Sequence, residues 1–212
     1  MIADDSLQSK LGSLQKVFKI IGAAGIALSL LGWWLSRGSF SVGYLIAFLF
    51  WFGITLGALP LLCLHNLTGG AWGLPIRRPL ELALRLIPLT ALFFLPILFN
   101  LKSLYPWMHP GEFNHAYLNL PFFLTRLGLY FAVWLFLGFR IRSTSERYDN
   151  GPTPDLIIRL QRLGGLGVVL YALTVTFASV DWVMSLEPRW YSTMYGVLFM
   201  SNQALSSMAF MI

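Results

Sequence analysis

The chain has 212 residues, 57% of them hydrophobic and 11% charged, with a formal net charge of +6. An ordinary soluble domain carries about 25% charged residues, so this composition excludes a water-soluble fold. Its basic residues lie between apolar runs instead of in one patch, which excludes a nucleic-acid partner and makes them signals of membrane topology.

A hydrocarbon core of about 30 Å needs about 20 apolar residues per crossing, and six stretches qualify. Residues 1–16, with Asp4, Asp5, Lys10 and Lys16, read as a cytoplasmic N-terminal segment. The transmembrane region then covers 17–212, with spans predicted at about 17–35, 40–64, 79–99, 120–139, 163–183 and 190–212. The first span is too long for a signal-peptide core, and 36–39 offers no cleavage pattern, so it reads as a retained helix. None of the six alternates polar and apolar residues as a membrane β-strand does. The expected fold is therefore all-α, a polytopic transmembrane bundle. Its last apolar run reaches Ile212 without a polar tail, which reads as a bundle incomplete at the C-terminus.

Ten basic residues, Lys10, Lys16, Lys19, Arg77, Arg78, Arg140, Arg142, Arg147, Arg159 and Arg162, flank one side of this arrangement. Arg37, Lys102 and Arg189 flank the other, and Arg85 and Arg126 fall inside spans. The positive-inside rule puts the ten in the cytoplasm together with the N-terminus. The Gly53/Gly57 pair, a looser Gly25/Ser29 pair, and Gly164, Gly165 and Gly167 mark places where helices can approach closely. Pro60, Pro88 and Pro96 should kink their helices, each removing a backbone donor.

A charge inside a span costs at least about 2.5–3.5 kcal/mol at the bilayer centre, so each needs a partner or a purpose. Glu81 and Arg85 stand four apart and are expected to share a helix face, either as a local ion pair with a snorkelling arginine or, with His65, as the mouth of a proton path. Arg126 and Asp181 fall in the same leaflet and are expected to pair. Glu187, His109, Glu112 and His115 come from the outer connections at a similar depth.

A quinol site needs aromatic walls and a carboxylate or histidine that takes protons. Trp107, Trp182, Trp190 and Tyr191 qualify as walls, and Asp181, Glu187 and His115 as acceptors, while the same aromatics also fit an interfacial belt. His65, His109 and His115 lie at or beyond helix ends, which speaks against an embedded haem and leaves no zinc-ligand spacing. Cys63 is the single cysteine, so neither a thiolate iron–sulfur cluster nor a covalent c-type haem can attach.

The stretch His65–Gly73 with Arg77-Arg78-Pro79, the Leu104–Trp107 loop, Ala116–Asn119 and above all Asp181-Trp182-Val183-Met184-Ser185-Leu186-Glu187-Pro188 resemble a second quinone-binding membrane subunit, the ActF type, of bacterial alternative complex III. The resemblance implies a polysulfide-reductase-like helical subunit of a respiratory or photosynthetic quinol:cytochrome c oxidoreductase, covering its N-terminal half. It further implies menaquinol or a similar quinol as ligand, and no haem, iron–sulfur cluster or metal on this chain. The implied partners are a homologous membrane subunit, an iron–sulfur subunit and c-type cytochrome subunits in the bacterial cytoplasmic membrane, with a proton path as a further role. Where the family carries a histidine before Trp190, this chain has Arg189, which cannot serve as a base. The other readings are a secondary transporter, suggested by the polar run Ser201, Asn202, Gln203, Ser206 and Ser207, and a ligand-free scaffold.

Overall fold

A computed structural model describes residues 2–109 and 116–212. Among these the fold is all-α: α1 Ile2–Leu35, α2 Arg37–Thr68, α3 Leu74–Leu84, α4 Ile87–Phe93, α5 Leu95–Phe99, α6 Leu101–Leu104, α7 Leu120–Asn150, α8 Pro154–Trp182 and α9 Tyr195–Met211. Two single 3-10 turns, Pro106–Met108 and Met184–Leu186, follow α6 and α8. Four helices are long and apolar enough to cross a membrane, within α1, α2, α7 and α8, and α3 with α4–α5 makes a fifth if the bent pair is one span.

The chain divides into two compact units, one up to Gly43 and one from Tyr44 to Ile212. In the first, Ser36 alone separates α1 from α2, and the Phe40 ring closes over Gly32, where a Cβ would meet it at 3.0 Å. None of the apolar window of α1 is buried. The expected segment 1–16 is not a separate element, because α1 runs unbroken from Ile2.

The second unit carries the core. Its helix ends follow from local chemistry. Gly69 and Gly70, at φ 67° and 89°, stop α2 in a conformation that side chains resist, and the Gly69 amide donates to the His65 carbonyl. Asn119 caps α7 by accepting from the Phe122 amide at 2.9 Å, two residues before Pro121 fixes the first turn.

The third predicted span is not one helix. Pro88 and Pro96 each sit at the start of a new segment, and α3 meets the α4–α5 stretch at a bend of 42°. A proline inside a helix lacks the amide its i−4 carbonyl needs. Pro60, by contrast, stays within a continuous α2. The sixth stretch folds as the 17-residue α9, whose length falls short of the other spans.

Lipid offers little hydrophobic drive between helices, so close packing of small residues holds them together. A Cβ on Gly57 would lie 2.1 Å from the Gln203 backbone oxygen, and one on Gly164 would lie 2.6 Å from that of Cys63. The Gly53/Gly57 pair thus seats α9 on α2, and Gly164 with Gly167 seats α8 on α2. The buried positions of α8, including Leu160, Gly164, Gly167, Tyr171, Thr174, Ala178 and Asp181, recur every three or four residues as one helical stripe.

Candidate functional site

Two charged constellations lie in this unit. The first joins α7 and α8. Arg126 grips Asp181 with a fork, Nε donating to Oδ2 and Nη2 to Oδ1, both at 2.8 Å. Tyr130, one turn further along α7, donates its hydroxyl to Oδ2 at 2.7 Å. The remaining Arg126 nitrogen donates to the Tyr117 carbonyl at 3.2 Å, and the guanidinium lies over the Tyr117 and Phe122 rings at 3.9 and 4.3 Å. Ser185 donates its hydroxyl to the Asp181 carbonyl. The side chains of Arg126 and Asp181 are 8% and 1% exposed, so this is an ion pair away from bulk water. Burial, then the Asp181 carboxylate, pushes the Tyr117 phenol up to about 12, so it stays protonated at neutral pH.

Beside the clasp lies an aromatic cage. Trp182 is fully enclosed and meets Phe94 at 4.8 Å, Phe52 at 5.3 Å and Trp134 at 5.9 Å between ring centres. Tyr105 donates to the Trp182 carbonyl at 3.0 Å, and the Trp134 indole donates to Thr174 at 2.8 Å. The Trp182 indole nitrogen itself is buried without a hydrogen-bond partner. Trp107 is buried too, against Tyr105 and Phe123.

No protein-family model matches this chain, and no curated protein does.

The other outer-face candidates among the described residues do not join the clasp. Glu187 is exposed, Trp190 is 49% and Tyr191 84% exposed, and Trp190 stands edge-on to Tyr195. His115, with Glu112, lies outside the described residues. The four expected wall residues therefore split, Trp107 and Trp182 into the core and Trp190 and Tyr191 onto the surface.

The second constellation ties α3 to α7. Glu81, 4% exposed, receives Arg77 at 3.1 Å and Arg78 at 3.1 Å from its own helix. Ser145 of α7 donates to Glu81 and accepts from Arg77, and Asp149 draws both arginines across the helix gap at 3.2 and 2.7 Å. The expected Glu81–Arg85 pair is not formed: Arg85 follows the last residue of α3 and reaches Glu146 at 3.1 Å instead. For Arg85, a partner on α7 takes the place of the residue four before it. His65 lies in the last turn of α2, within electrostatic reach of Arg77, with its ring edge-on to Trp72, and Gly73 is open to it because a Cβ there would strike Nδ1 at 2.4 Å. The three proton-path candidates thus do not form one chain of contacts.

Sequence reasoning missed Tyr130, Tyr117, Ser145 and Asp149. Tyr130 carried a signal, since it stands four residues from Arg126 and so shares its face. Tyr117 carried none, because a loop position has no period.

Proposed function

We propose that this chain is an integral membrane subunit of a bacterial quinol:cytochrome c oxidoreductase of the alternative complex III type, and that its own contribution is structural. In this reading it sits in the cytoplasmic membrane with its N-terminus inside. It packs against a homologous membrane subunit and neighbours the iron–sulfur and c-type cytochrome subunits. The observation that carries the reading is that the segment most specific to the resemblance, Asp181–Pro188, begins at the buried clasp and aromatic cage.

A quinol ring does not fit at Asp181. Both carboxylate oxygens already accept from Arg126 or Tyr130, and Asp181 and Trp182 are each 0% exposed. A proton acceptor needs a free oxygen within about 3 Å of the departing proton. The clasp instead locks the outer ends of α7 and α8 at a fixed spacing, which supports a role as the rigid wall behind a quinol-facing surface. The exposed Trp190 and Tyr191 lie just past it in the chain.

A transporter remains the second reading, favoured by the broken α3–α4 helix and by the buried Gln203, which accepts from Tyr171 at 2.8 Å. Affinity purification from bacterial membranes in mild detergent separates the two. Co-elution of c-type haem with quinol-dependent cytochrome c reduction is the expected result; a haem-free, inactive eluate contradicts the proposal.

A further inference from the structure

A groove of about 450 Å³ runs along the first half of α8, lined on that helix by Asp155, Leu156, Arg159, Arg162, Leu163 and Leu166. Its two ends differ in chemistry. Arg159 and Arg162, one turn apart, bring two positive charges against the single negative charge of Asp155, and Leu163 and Leu166 continue the groove as apolar wall.

These arginines differ from those that tie α3 to α7. Arg77, Arg78, Arg85 and Arg142 each meet Glu81, Glu146 or Asp149. Among the described residues neither Arg159 nor Arg162 has a carboxylate partner, and both are exposed. A guanidinium presents a planar fork of donors that matches phosphate oxygens two at a time. At about 1.5 Å rise per residue, Leu166 lies about 6 Å beyond Arg162 along the axis. With the arginines at headgroup level, that offset would carry Leu166 into the acyl region.

We propose that this groove is a binding site for one anionic phospholipid, its phosphate held between Arg159 and Arg162 and an acyl chain laid along Leu163 and Leu166. The charge excess of the two arginines over Asp155 selects an anionic lipid over a zwitterionic one, whose own ammonium group it repels. The site does not depend on which assembly the chain joins.

Native mass spectrometry of the full chain in detergent, with phosphatidylglycerol or phosphatidylcholine added, reads the site directly. The wild-type chain should retain phosphatidylglycerol in preference, and Arg159→Gln with Arg162→Gln should lower that preference about thirtyfold, as expected for about 1 kcal/mol from each of two basic groups near a lipid surface. Arg147→Gln, which removes an exposed charge from the end of α7, should leave it unchanged. Leu166→Trp, which fills the apolar part with both arginines intact, should also reduce retention and guards against a folding defect in the double variant. Three outcomes overturn the proposal: retention that survives both the double variant and Leu166→Trp, an equal loss with Arg147→Gln, and displacement by inorganic phosphate as complete as by phosphatidylglycerol, which would make this a soluble-anion site.

Discussion

Asp181 has almost no exposure, and three donors from Arg126 and Tyr130 stand where water would otherwise solvate its side chain. Removing one partner of such a pair leaves the other charge buried, at about 3–5 kcal/mol, whereas removing both is far milder. Asp181→Asn should therefore lower the stability of the detergent-solubilised protein by about 3–5 kcal/mol, and adding Arg126→Gln should restore much of it. Thermal unfolding of the two single variants and the double variant checks this, and losses that simply add would remove the clasp from the account. This pairing was legible in the sequence, because two lone charges in one leaflet have few other partners. The Glu81 node was not. Arg77, Arg78 and Arg85 all stand three or four residues from Glu81, so spacing alone offers three equivalent arginines. Ser145 and Asp149 on α7 decide between them by holding Arg77 and Arg78.

Helices in this unit meet where a side chain is missing. Gly57 and Gly164 each place backbone of another helix inside the space a Cβ would occupy, while Gly128 on α7 has nothing within 4 Å. Gly57→Ala and Gly164→Ala should each destabilise by about 1–3 kcal/mol through forced separation of packed helices. Gly128→Ala should be neutral or stabilising by up to about 1 kcal/mol, since alanine loses less backbone entropy in a helix. Unfolding midpoints of the three variants compare the predictions directly, and equal losses at all three sites would refute the packing argument. The sequence displayed the Gly53/Gly57 spacing but not its partner, because α9 is distant in the chain. It also displayed the prolines, yet Pro88 and Pro96 begin new segments whereas Pro60 does not end α2. An apolar count sees only the part of a helix that lipid touches. That is why α7 continues past residue 139 to Asn150 with the polar residues that grip α3.

Charge is rare in this chain, and the ion pairs among the described residues of the second unit fall in two groups: Arg126 with Asp181, and Glu81, Glu146 and Asp149 with arginines of α3 and α7. Between them lies an aromatic and aliphatic core, and the apolar window of α1 has no buried residue. Lipid or a neighbouring helix covers such a surface without an energetic penalty. Under the proposed function, these features suit a subunit that frames a reaction at its surface. On that proposal Asp181 anchors the frame and does not accept a quinol proton. Quinol-dependent cytochrome c reduction by the purified assembly carrying Asp181→Asn together with Arg126→Gln tests it most directly. An intact assembly with the double substitution should keep most of its turnover; an intact assembly that has lost turnover altogether would overturn the proposed role of Asp181.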